Sequence, residues 1–348
     1  MKLVLSFLLA AALGGAAEPG ALLLRSIRPI DAHAHVFLSA PELHAFFERM
    51  NLRVVNVTVV DPYERGYETV EPQHRLALEV FRDSKRRAAW CSTFDPAGFE
   101  EPGFAQRVIA SLDETFRQGA IGVKIYKAIG MDLKSKSGKH VMPDDTAFVP
   151  IFNAIAARGK TLYAHIAEPI GAWRPLDPKD PDYGYYKNAP RWHMYGRAGV
   201  PSKEEILAAR DRMIRRHPKL RVVGCHLGSM EEDVVEIARR LDAYPNFAVD
   251  TAARVRHLTL QPREKVREFL LKYQDRILYA TDFGAMPWDN GAQSASRWEK
   301  ELELDWKYFA TDETLEYQGR AVRGLALPEP VLRKLFRENA LRWAPGIE

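Results

Sequence analysis

The feature that most constrains this chain is a recurrence. Eight short apolar or β-branched runs are separated by longer segments whose apolar residues return every three or four positions. The runs are IDAHAHV from Ile30, VVNVTVV from Val54, AAWCSTF from Ala88, IGVKIYK from Ile121, TLYAHIA from Thr161, RVVGCHLG from Arg221, FAVDTAA from Phe247 and ILYATDFG from Ile277. Between them, GFAQRVIASLDETFRQG, SMEEDVVEIARRLDAY and QPREKVREFLLKYQD carry the period of helices packed on a sheet. Strand period followed by helix period marks consecutive βα units. Eight such units close naturally as an α/β fold, a (β/α)8 TIM-type barrel. No sequence repeat of roughly 20–50 residues is visible, which disfavours solenoids and propellers.

The 348 residues exceed a usual domain, but barrels run to about 250 residues and more as one unit. Residues 18–348 are therefore read as one barrel domain. Apolar residues at 46% fill a core and charged residues at 28% solvate its outside, which excludes disordered and membrane-embedded classes. The net charge of +4 is spread over interleaved acids and bases, without the basic blocks of a nucleic-acid binder. A small-molecule substrate is expected. Cys91 and Cys225 lie in separate apolar runs, far from a C-x-x-C spacing, and read as buried free thiols.

Residues 1–17 have the layout of a cleavable secretory signal: Lys2, an apolar run from Leu3 to Leu13, then small residues ending at Ala17. The run is shorter than the ~20 residues of a membrane span, so no stable membrane anchor is expected. The mature chain would begin near Glu18, in the periplasm or outside the cell. Barrels of this kind associate, so a homo-oligomer is compatible, though no sequence feature marks an interface.

Three connections after strands are long: Ala128 to Pro143, Pro169 to Pro201 and Ala285 to Leu327. Barrel active sites sit at the C-terminal ends of the strands, so these segments are placed to wall or cover a site. The second holds Trp173, Tyr183, Tyr185, Tyr186, Trp192, His193 and Tyr195. It reads as a substrate-enclosing lid.

His33 and His35 are two apart in a strand, so both imidazoles share one face. A lone H-x-H is weak evidence, but His165, His226 and Asp282 each fall toward the C-terminal end of their own run. Those ends meet on one rim. Imidazole nitrogen and carboxylate oxygen bind zinc and similar ions, and a catalytic site keeps a position open for water. Asp282 suits both metal contact and proton transfer, and His226 suits orienting or deprotonating the water.

The stretches IDAHAHV, AHIAEP, GCHLGS, ATDFG and the closing FRENALRW resemble the amidohydrolase superfamily, in its amidohydrolase-related branch that contains aminocarboxymuconate semialdehyde decarboxylase. The resemblance covers nearly the whole mature chain. It implies one divalent ion, foremost Zn2+, on His33, His35, His165 and Asp282, with His226 handling protons. Some members hold two ions bridged by a carboxylated lysine on strand four. Lys124 is the residue here that faces inward, with Val123 and Ile125 toward the helices and Lys127 of the other parity. Lys124 is otherwise an interior ammonium paired with Asp31 or Asp282. In the two-ion reading His165 and His226 bind the second ion.

Arg254, after the seventh run, lies at the same rim and suits a bidentate pair with a substrate carboxylate, or a salt bridge to the wall. His44, His74, His217 and His257 have polar neighbours and read as solvated surface residues. The leading expectation is a secreted metal-dependent hydrolase of an amide, lactone or ester-like bond. The alternative is a metal-dependent non-oxidative decarboxylase, in which Arg254 and Lys124 meet the substrate acid. A noncatalytic metal or organic-acid binding protein is the third reading.

Overall fold

The computed structural model describes residues 19–63 and 69–348, so the signal segment and its cleavage point lie outside the described residues. Seven of the eight runs form one parallel strand each: β1 (Ile30–Val36), β2 (Arg53–Val57), β3 (Ala88–Thr93), β4 (Gly122–Ile125), β5 (Thr161–Ala164), β6 (Arg221–Gly224) and β7 (Phe247–Asp250). The eighth run is split into β8 (Ile277–Leu278), which pairs with β7, and β9 (Gly284–Ala285), which pairs with β1. Their order is β8-β7-β6-β5-β4-β3-β2-β1-β9. Closure runs through the split: Ala32 N donates to the Tyr279 carbonyl (2.9 Å), Asp282 N to His33 (2.9 Å) and His35 N to Phe283 (2.8 Å). The break falls where Asp282 adopts a left-handed conformation (φ +68°), which Asp tolerates better than most residues.

The barrel encloses small and branched side chains, among them Ala32, Val57, Ala89, Cys91, Tyr163, Val223, Cys225 and Leu278. Trp343 and Ile347 of the chain end belong to the same cluster. Val54, Val123, Ile125, Leu162, Val222 and Val249 face outward into a larger core shared with the helices. Ile30 and Ala32 belong to the inner cluster, whereas Ala34 and Val36 belong to the outer one. The change of parity coincides with a register shift between Asp31 and Ala34, the extra residue of a β-bulge. As a result His33 and His35 point inward above the apolar plug.

The expected helices are present, at Phe104–Arg117, Val234–Ala243 and Arg263–Lys272. Their starts follow local chemistry: Asp233 caps the second with its side chain, and Ser202 and Glu205 form a reciprocal capping box on Lys203–Arg216. The third long connection is mostly regular structure, a 20-residue helix Gly291–Ala310 and a hairpin of Thr314–Tyr317 with Arg320–Arg323. Trp298 of this helix packs on Phe46, Phe47 and Phe283, lying flat on the last at 4.7 Å. Among the described residues no helix is long and apolar enough to cross a membrane.

Candidate metal centre

The tightest group on the rim is His33, His35 and Asp282, whose ligand atoms lie within 4.8 Å of one another. Asp282 Oδ1 is 3.4 Å from His33 Nε2 and 3.2 Å from His35 Nε2. The far nitrogen of each ring is fixed. His35 Nδ1 meets the Val57 carbonyl at 2.7 Å, and His33 Nδ1 meets Asp250 Oδ2 at 3.0 Å. This leaves both Nε2 atoms turned toward Asp282, an outer-shell arrangement typical of metal-ligating imidazoles.

His165 and His226 stand beside this trio with ring centroids 4.2 Å apart, and His226 lies 5.1 Å from His33. His165 Nε2 and Asp282 Oδ1 are buried without a hydrogen-bond partner. Unpaired buried acceptors are costly, and together with the Nε2 atoms of His33 and His35 they fit a divalent cation of that ligand preference. The electrostatics agree. Burial, with His226 and the nearby cations, holds the His165 imidazole well below its ordinary pKa. Burial also lowers His33, reinforced by Lys124, and brings His226 down to about 3. Burial would raise Asp282, but His226, His35 and His33 outweigh it and hold its pKa below the ordinary carboxylate value. Neutral imidazoles facing an ionised carboxylate are the protonation states a metal requires.

His226 is two residues past the end of β6, in a turn where His226, Leu227 and Ser229 are all left-handed. Its Nδ1 lies 2.9 Å from the Ala252 carbonyl. A carbonyl only accepts, so Nδ1 carries the proton and Nε2 the lone pair. Asp250 organises this corner, receiving His226 N at 2.7 Å on one oxygen and His33 on the other. It was missed in the sequence, although it is a carboxylate ending an otherwise apolar strand, the same signal that singled out Asp282.

Lys124 does face inward and is buried, but it pairs with neither Asp31 nor Asp282. Its Nζ is 3.1 Å from His33 Nε2 and 3.1 Å from Cys225 Sγ. Asp31 instead faces the helix layer, accepting from Thr281 and Trp298. Both cysteines are free and buried. Lys127 corrects the parity argument: the chain leaves β4 before reaching it, and its ammonium turns into the rim. There it pairs with Glu168, donates to the Tyr185 hydroxyl at 2.5 Å and lies 4.4 Å from the Trp192 ring centre.

These groups surround a cavity of about 590 Å³ lined by His35, His165, His226, Asp282, Lys127, Glu168 and Arg254, with Tyr126, Tyr185, Trp192 and Met286 among its apolar walls. The second long connection thus contributes Asp182, Tyr185 and Trp192 to the cavity wall. It is pinned by Asp182 to Arg256 and His257, and by Arg191 to Asp61 and Asp132. Arg254 Nε lies 3.6 Å from Glu231 and Nη2 3.9 Å from Glu168, close enough for charge compensation and too far for hydrogen bonds. Surface placement fails for three histidines. His257 is buried on Asp182, His217 is buried against Asn153, and the mostly covered His74 accepts from Thr93 N. His44 is half-buried.

A barrel with paired histidines on its first strand and an aspartate on its eighth, around one cavity at the strand ends, defines a metal-enzyme scaffold. A model of the amidohydrolase family matches residues 30–343. The chain belongs to the amidohydrolase family, as its motifs lead one to expect. Solved structures with the same fold include 2,6-dihydroxybenzoate decarboxylase from Rhizobium, at 14% identity over 90% of this chain and 98% of that one, TM-score 0.53. Another is 5-carboxyvanillate decarboxylase from Sphingomonas paucimobilis, at 17% identity over 91% and 99%, TM-score 0.50. A third is dihydroxybenzoic acid decarboxylase from Polaromonas with bound manganese and 2-nitroresorcinol, at 14% identity over 90% and 96%, TM-score 0.51. A search of curated proteins gives no match.

Proposed function

We propose that the protein is an exported metal-dependent hydrolase of small amides, lactones or esters, with His33, His35, His165 and Asp282 as ligands of one ion, foremost zinc. The observation that carries this reading is the pairing of an ionised, unpartnered Asp282 oxygen with a neutral His226 whose proton is fixed on Nδ1. A divalent ion there acidifies water and polarises the bond to be broken. Asp282 accepts a proton from the attacking water, while His226 Nε2 aligns that water through its lone pair. Arg254 presents positive charge at the cavity wall, and the rings of Tyr126, Tyr185 and Trp192 shield the site from bulk water. Incubation of zinc-loaded protein with dihydrocoumarin, p-nitrophenyl acetate and p-nitroacetanilide tests this. Turnover of at least one is expected, with loss of at least about a hundredfold in Asp282→Asn.

The second reading, non-oxidative decarboxylation, is favoured by Arg254 standing in an aromatic-walled cavity. Lys124 contributes less to it than expected, because its ammonium is taken up by His33 and Cys225. CO2 release from dihydroxybenzoates without hydrolysis of the other probes would establish this reading in place of the first.

A further inference from the structure

A second cavity, of about 350 Å³, lies behind the metal centre and shares Asp282, Ala253, Arg254 and Arg256 with the first. Its other wall comes from the third long connection: Arg297, Glu301 and Asp305 of the helix Gly291–Ala310, with Tyr317 and Gln318 of the hairpin. The volume and polar lining suit several ordered waters. Asp282 therefore borders two spaces, and a substrate filling the front one leaves the rear one open.

The acids of this region differ in what occupies them. Both Asp305 oxygens accept from tyrosines, Tyr279 at 3.1 Å and Tyr317 at 2.7 Å. Asp31 is likewise filled by Thr281 and Trp298. Glu301 accepts no hydrogen bond from the described residues and is partly exposed. It sits four residues from both Arg297 and Asp305, on the same helix face.

Resting on the hydrolase reading, we propose that the rear cavity is a water channel and that Glu301 relays protons through it between Asp282 and bulk solvent. Hydrolysis of a lactone or ester yields an alcohol and a carboxylate. One proton of the attacking water ends on the leaving oxygen, and the other must reach solvent while the front cavity is filled. It passes from Asp282 through channel water to the Glu301 carboxylate, and from there to a buffer base. The carboxyl group is tuned for this. Burial, then the charges of Asp305, Asp31 and Asp282, raise it to about 8, and Arg297 opposes them. Arg254, Arg256, Tyr279 and Tyr317 complete the titratable and charged groups around it.

Infrared difference spectra of the protein minus Glu301→Gln test the relay without a substrate. A carboxyl band that titrates above the ordinary glutamate range is expected, because burial and the Asp305 and Asp31 charges raise it. A Glu301 band that titrates in the ordinary glutamate range overturns the proposal, whatever the enzyme hydrolyses. With dihydrocoumarin in dilute buffer, kcat should fall on the order of tenfold in Glu301→Gln and recover in concentrated imidazole. Arg297→Ala, an exposed change, should move the acidic limb of kcat to higher pH, because Arg297 holds Glu301 down and the relay needs its carboxylate. Equal kcat for wild type and Glu301→Gln in dilute buffer overturns the relay, as does a loss confined to KM. Absence of any turnover by the wild type refutes the hydrolase reading and with it the relay, and the infrared band then reports only the acidity of Glu301.

Discussion

Asp250 makes its contribution through His33. With one oxygen on the His33 imidazole and the other on the His226 backbone amide, it fixes the His33 ring and the turn that carries His226. Asp250→Asn keeps the shape and removes the charge, and it should weaken zinc affinity by about 10–100-fold, read by competition with a chromogenic chelator. Unchanged affinity would mean that His33 is held by packing alone. The ligand candidates were legible because each is a chemically distinctive residue near the end of an apolar run. Asp250 carried the same signal and differs only in pointing at His33 instead of into the cavity. Glu168 stood inside a quoted motif, but its role depends on Lys127 and Arg254, which approach from other loops.

Among the elements, β1 and the eighth run depart most from a simple strand. Period-two alternation along all of IDAHAHV would place Ile30, Ala32, Ala34 and Val36 on one face. The bulge at Asp31–Ala34 is what allows an apolar plug and two inward histidines on the same strand. The left-handed Asp282 splits the eighth strand in a way that propensity does not reveal. Strand parity also misled at Lys127, since β4 ends at Ile125 and the alternation ends with it. The lid meets the barrel at Lys127, which donates to the Tyr185 hydroxyl and pairs with Glu168 just before the lid, both partners of that pair almost fully buried. Lys127→Met should destabilise the fold by about 3 kcal/mol, because it leaves the buried Glu168 carboxylate with only the more distant Arg254 as a counter-charge. Adding Glu168→Gln should restore most of that loss in urea unfolding, whereas additive losses would argue against a coupled pair.

At the scale of the whole molecule, βα alternation fixed the barrel and its rim before any contact was known, because eight parallel strands with helical crossovers have one economical closure. The histidines His217 and His257 show the limit of that reading. Their polar sequence neighbours hid partners 64 and 75 residues away. Export is a separate claim, resting on residues 1–17, and N-terminal sequencing of protein recovered from a bacterial periplasm should begin near Glu18. Recovery in the cytoplasm with Met1 intact would contradict it.

The centre itself is tested most directly by elemental analysis of purified wild type beside a His33→Ala, His35→Ala double variant of verified fold. The account predicts one divalent ion per chain in the wild type, with zinc foremost, and near-complete loss in the variant. A wild type without a stoichiometric ion, or a variant that retains it, would contradict the metal centre.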